Sequence, residues 1–154
     1  MRITEYLSED LVIAGIPPCS KTEALGTLVD RLITTGKLNA DRREILLAKL
    51  MERENLSSTG IGGAVAIPHA SGENVDNMIV AVGQSPEGVE FDSLDGQPVK
   101  AIFLIVGSER APRTHLQLLA MIVRLCKTQD LIKSIAEAGS ASEIFGILSV
   151  TENK

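Results

Sequence analysis

The stretch Val99–Val106 sets the tightest limit on the fold. From Ala101 it runs Ile102, Phe103, Leu104, Ile105 and Val106 without a polar residue. A strand with one wet face alternates apolar and polar positions, and one that does not alternate is covered on both faces. Such a strand needs helices above and below it. The rest of the chain supplies them. Ser20 and Glu23 have the capping-box spacing, ahead of Ala24, Leu25, Leu28, Val29, Leu32 and Ile33 on one helical face. Gly36 is placed to end that helix. A second helix is expected from Asp41 to Glu54, with Asp41 and Glu44 as its capping pair and Ile45, Leu46, Leu50 and Met51 inside. Pro112 suits the first turn of a third helix. From Leu116 to Cys126 that helix is apolar nearly all round, which predicts a central, buried one. Leu131, Ile132, Ile135 and Ala136 make a fourth helix before Gly139. Ser140 and Glu143 repeat the capping box before Ile144, Phe145, Ile147 and Leu148.

Further strands are expected at Leu11–Ile13, Val65–Ile67, Met78–Val82 and Val89–Phe91, with turns at Pro86–Gly88 and Asp95–Pro98. About five helices and four or five short strands give an α/β chain (α+β in some schemes), a three-layer α/β/α sandwich. The connections vary in length and include tight turns, so the sheet is expected to be mixed rather than purely parallel. A length of 154 residues fits one domain spanning residues 1–154. Aromatic residues are only 3% with no Trp, so the core has to be built from Leu, Ile, Val and Ala. A net charge of −5 argues against a nucleic-acid partner, which asks for a basic footprint. Cys19 and Cys126 are isolated and read as buried thiols of a reducing compartment. No apolar run reaches the length of a membrane span, and the start lacks a signal-peptide core, so a cytoplasmic protein is expected.

The stretch most suggestive of chemistry is Ser57-Ser58-Thr59-Gly60-Ile61-Gly62-Gly63-Ala64-Val65-Ala66-Ile67-Pro68-His69. It reads as a polar loop, then glycines, then a short buried strand. Pro68 holds Ile67 extended and removes a backbone donor, so the ladder is expected to stop there. His69 would then be the first residue beyond the strand, followed by a loop at Ala70-Ser71-Gly72. A water-satisfied turn histidine is the competing reading. The second histidine, His115, falls in the first helical turn after Pro112, where free backbone donors gather and the dipole keeps an imidazole neutral. A neutral ring offers one N–H to an oxygen, and local capping is the alternative. Arg53 stands at the end of the second helix. It reads as a solvated charge at a helix C-terminus, or as a group leaning over the loop to meet an anion. With the donors of Ser58, Thr59, Gly60, Gly62 and Gly63, the set is compatible with an oxyanion or phosphate cradle.

Other motifs fare worse. G-x-G-G is not a dinucleotide fingerprint, and no Lys-Ser/Thr follows to make a P-loop. Two histidines and two cysteines at unrelated spacings do not make a zinc site. No G-x-S-x-G is present.

Taken together, Arg53-Glu54, Ser58-Thr59-Gly60-Ile61-Gly62, Ala66-Ile67-Pro68-His69, Phe91–Val99, Thr114-His115-Leu116 and Ser142-Glu143-Ile144 resemble one family. It is the enzyme IIA component of the bacterial phosphoenolpyruvate-dependent phosphotransferase system, in its fructose, mannitol and nitrogen-regulatory branch. The resemblance implies a mixed sheet between helical layers. It implies that His69 takes a phosphoryl group from the phosphocarrier HPr through a ring nitrogen, Nε2. It implies that His115 and Arg53 bind the phosphoryl oxygens, with no cofactor and no resident metal. The onward partner would be a IIB domain of a sugar permease or a regulatory target protein. With no membrane segment and no room for a IIB domain, a free-standing IIA protein is expected, with a slight lean to regulation. A binding domain that kept the fold without the relay is the rival. Two departures stand out: Ala64 replaces a glycine common in relatives, and Ala70-Ser71 replaces a Gly-Lys pair, which removes a positive charge beside His69.

Overall fold

The computed structural model describes residues 1–72 and 75–153. Its centre is a six-stranded mixed sheet. The strands are β1 (Val12–Ile13), β2 (Gly60–Gly62), β3 (Val65–Ala66), β4 (His69–Gly72), β5 (Ile79–Val89) and β6 (Val99–Ser108). The helices are α1 (Lys21–Thr34), α2 (Arg43–Leu56), α3 (Pro112–Cys126), α4 (Leu131–Glu137) and α5 (Ala141–Glu152). The sheet order is β1-β5-β6-β3-β2, and β4 also pairs with β6. β5 and β6 run antiparallel, while β3 and β4 both lie parallel to β6. The expected mixed character is present, with one strand more than the four or five expected. The additions are β2 and β4, because Gly60–Gly62 pairs back on β3 and His69–Gly72 runs along β6 instead of remaining loop. The strand expected at Val89–Phe91 is absorbed into β5, which ends at Val89.

The apolar run does what its pattern requires. Ala101 to Val106 are all buried in β6. A Cβ at Gly83 of β5 would meet Leu28 of α1. The next side chain, Gln84, points the other way and donates to the carbonyls of Ile135 and Ala138 around α4. Consecutive strand residues face opposite sides, so α1 and α4 lie on opposite faces, and the three layers follow. Gly83 pairs with Ile102, so Ile102, Leu104 and Val106 share the α1 face. Ala101, Phe103, Ile105 and Gly107 face α3 and α4.

Of the three expected capping pairs, one is complete. Ser20 Oγ accepts from the Glu23 N–H at 3.1 Å and the Glu23 carboxylate accepts from the Ser20 N–H at 3.3 Å, a complete capping box. Ser140 makes only half of one. It accepts from the Glu143 N–H, but the Glu143 carboxylate turns to the Gly139 N–H at 2.8 Å. The Asp41–Glu44 pair does not cap α2. A 3-10 turn at Ala40–Arg42 leads into it, and Glu44 is taken by Arg43 at 2.7 Å.

Two further expectations are corrected. α3 is not buried all round: only Leu118, Ile122 and Leu125 are fully inside, and Leu116 is 67% exposed. It covers one face of a sheet and has no layer outside it, so one stripe suffices. Pro86 and Gly88 do not end a strand either. β5 continues through them with a shift in register between Gln84 and Val89.

Candidate functional site

Pro68 does not terminate the ladder. It lacks a donor, but its carbonyl accepts from the Ile105 N–H at 3.0 Å. β3 and β4 therefore form one interrupted line along β6, and His69 opens the second half, paired with Ile105. His69 is thus mounted on a strand, not on the loop expected. Its neighbours Ala70 and Ser71 are strand residues too, paired with Val106 and Gly107. The period of two then points His69 and Ser71 to the α3 face.

That face receives His115. The ring centroids of His69 and His115 are 5.8 Å apart, with the rings at 89°. Two residues 46 positions apart in the sequence meet because α3 starts immediately after β6 and crosses back over its end. Both rings are half-buried. His69 Nδ1 lies 2.9 Å from the Ile67 carbonyl oxygen. A carbonyl only accepts, so Nδ1 carries the proton and Nε2 keeps a free lone pair. His115 Nδ1 lies 3.2 Å from Ser71 Oγ.

Burial holds the His115 pKa below the usual 6.5, and the neighbouring His69 pushes it the same way. The ring is neutral at pH 7. We expect the His115 ring-proton NMR titration to have its midpoint below 6.5, and His69→Ala to move it upward. A midpoint above 6.5 in the unphosphorylated protein would contradict the burial. The unfolded chain takes this proton at higher pH than the folded one. The group's contribution to stability is therefore complete above 6.5 and is lost as pH falls through the depressed value.

Arg53 makes its hydrogen bond away from the imidazoles. It sits in the last turn of α2, and its Nη1 donates to the Ser57 carbonyl at 2.8 Å. Among the described residues neither histidine has a hydrogen bond to it. In the glycine loop, expected to be an anion cradle, the donors of Ser58, Thr59, Gly60 and Gly63 have acceptors within the protein. The Thr59 N–H and hydroxyl both donate to the Glu54 carboxylate, at 3.0 and 2.6 Å. Ser58 Oγ donates to the Phe91 carbonyl and accepts from the Gly60 N–H. The Gly63 N–H donates to Asp95, whose carboxyl is held below the usual range by the backbone donors of Gln97 and Gly63. Gly62, at φ 94°, has the same Asp95 carboxylate against it. Two carboxylates occupy the places an anion would take. The loop is a brace for β2 and β3. Ala64 sits in it at φ 66°, a left-handed conformation that costs a non-glycine residue about 1 kcal/mol.

Two residues of the site carried no flag in the sequence. Ser71 faces the second ring, and the signal for it was available: it lies two positions beyond His69 on a strand. Gly107 lies directly beneath that ring, where a Cβ would stand 2.4 Å from His115 Nδ1. Its only signal was a glycine directly after an unbroken apolar run. Among the described residues, no three His, Cys, Asp or Glu side chains are grouped to hold a metal ion, and no helix is long and apolar enough to cross a membrane.

Known proteins are similar to this chain over nearly its whole length. The fructose-specific EIIABC component of Bacillus subtilis is 37% identical over 149 residues, covering 97% of this chain but 23% of that longer protein. The fructose-specific EIIA component of Haloferax volcanii is 32% identical, covering 91% of this chain and 90% of that one. Among solved structures, the nitrogen regulatory protein IIA-Ntr of Neisseria meningitidis superposes with a TM-score of 0.84 at 29% identity, covering 95% of this chain and 98% of that one. Residues 5–150 match the family described as phosphoenolpyruvate-dependent sugar phosphotransferase system, EIIA 2. With that match over nearly its whole length, the chain belongs to the EIIA 2 family.

Proposed function

We propose that the protein is a phosphohistidine carrier in which His69 Nε2 accepts a phosphoryl group from the phosphocarrier HPr. The observation that carries this is the Ile67 carbonyl at 2.9 Å from Nδ1, which leaves Nε2 as the nucleophilic nitrogen. Imidazole is competent near neutral pH because much of it is unprotonated there. In the transfer, the P–N bond to the donor histidine breaks as the P–N bond to His69 Nε2 forms. The protein's share is in-line placement and stabilisation of spread negative charge. His115 supplies a neutral N–H donor from the perpendicular ring. Arg53 supplies a planar, charged pair of donors once its side chain leaves the Ser57 carbonyl.

The onward step is transfer to a IIB domain of a sugar permease, or use of the phosphorylated state as a signal to a regulatory target. The fructose-specific relative that joins EIIA to B and C parts in one chain supports the first, and the nitrogen regulatory relatives support the second. Incubation with phosphoenolpyruvate, enzyme I and HPr tests the carrier reading by the appearance of an acid-labile, base-stable phosphate. Adding a purified fructose-type IIB domain then separates the two fates: the label leaves the protein in relay and stays on it in regulation. A protein that takes no label would be the non-catalytic binding domain.

Gly107→Ala probes the second ring without touching its chemistry. The backbone there is ordinary extended strand, and the three atoms nearest the new Cβ all belong to the imidazole, at 2.4 to 3.0 Å. We expect a folded protein with His115 displaced, and phosphoryl uptake slowed to the level of His115→Ala. Wild-type uptake kinetics in this variant would show that His115 need not lie against β6.

A further inference from the structure

The two imidazoles have chemically different groups at the same ring position. His69 Nδ1 faces a carbonyl, which only accepts. His115 Nδ1 faces the Ser71 hydroxyl, which can donate. The Ser71 hydroxyl has no other acceptor among the described residues, so its proton is free to point at Nδ1. A ring that accepts at Nδ1 carries its own proton on Nε2. That Nε2 atom is buried and has no hydrogen-bond partner in the protein among the described residues. A buried N–H without a partner is costly, and an arriving phosphoryl oxygen would relieve it. We infer that Ser71 is a positioning residue that fixes His115 as the Nε2–H tautomer, opposite to His69, so that one ring is nucleophile and the other hydrogen-bond donor.

Ser71 is itself held in place. It is paired with Gly107 in the sheet, the residue whose missing side chain admits the His115 ring. Its carbonyl accepts from Lys49 Nζ at 3.0 Å, and Lys49 also pairs with Glu109 at 3.1 Å, one residue past the end of β6. Ser71 thus places a neutral hydroxyl under the second ring. A lysine of α2 stands behind the same strand. The hydroxyl also serves after transfer: if His115 takes a proton beside the new dianion, Ser71 Oγ turns from donor to acceptor without moving.

The inference rests on the carrier reading, and one experiment separates them. Long-range proton–nitrogen correlation spectra at pH 7.5 report the tautomer of each ring in the unphosphorylated protein, independently of any transfer. Uptake from phosphorylated HPr reports the rate. We expect wild type to show Nδ1–H for His69 and Nε2–H for His115. In Ser71→Ala the His115 pattern becomes a mixture and uptake slows about three- to tenfold, the scale of one neutral hydrogen bond. Ser71→Thr, which keeps the hydroxyl, restores both. Nδ1–H on His115 in wild type overturns the inference, as does a Ser71→Ala protein in which either the tautomer or the rate is unchanged. A wild-type protein that takes no phosphate overturns the carrier reading, and the role of Ser71 in transfer with it.

Discussion

His69→Ala is expected to take up no phosphoryl group from HPr, against one per chain expected for the wild type. The substitution removes the only nitrogen in the pair that the structure leaves with a free lone pair and a fixed proton on its far side. His115 does not substitute for it. Its ring is held by Ser71 at Nδ1, and its Nε2 is buried. Removing His115 therefore has a different signature: label still appears, more slowly. Uptake by an unrelated nucleophile would show as equal labelling of wild type and His69→Ala, and that result would end the assignment of His69.

The largest effect on stability belongs to a residue away from the imidazoles. Glu54→Ala is expected to cost about 3–5 kcal/mol, read from the urea midpoint at unchanged slope. Glu54 is 4% exposed and acts as a hub. Its carboxylate accepts from the Thr59 N–H, the Thr59 hydroxyl and Lys21 Nζ, the last at 3.1 Å. Lys21 keeps only 11% of its side chain in solvent and stands 4.9 Å from the centre of the Phe91 ring. Deleting the carboxylate leaves a nearly buried ammonium with the exposed Asp92 carboxylate at 3.8 Å in place of a buried partner, and strands two donors. That is a large part of the 5–15 kcal/mol that holds an ordinary domain together. Lys21→Met should be far better tolerated in a Glu54→Gln background than in the wild type, because the amide still accepts from Thr59 and no charge is left unpaired. A Glu54→Ala protein within about 1 kcal/mol of wild type would show that water reaches Lys21 freely. The brace also leads to the site. The Thr59 carbonyl accepts from the Ile67 N–H at 3.1 Å, and the Ile67 carbonyl accepts from His69 Nδ1. Loosening Glu54 should therefore disturb the tautomer of His69 as well as the melt.

The sequence by itself settled that both faces of the sheet are covered and where the first helix starts. The unbroken run in β6 required two helical layers, and the Ser20–Glu23 spacing placed the start of α1, because a cap and its acceptor lie within one turn. The histidines, by residue type and flanking pattern, marked the site. Only the tertiary structure decided which partners the polar groups take. Asp95 lies 32 positions from the Gly63 N–H it holds, and nothing in the glycine loop announces that its donors are already satisfied. The same holds for Pro68, whose carbonyl keeps the ladder going through a distant strand, and for α3, whose outer side faces no further layer. Ser71 and Gly107 became part of the site through strand register, which brings β4 and β6 side by side and is a property of the assembled sheet. Hydrogen bonds between distant segments are chosen by geometry that exists only after packing, so local pattern could name the two imidazoles but not the atoms that set their protons.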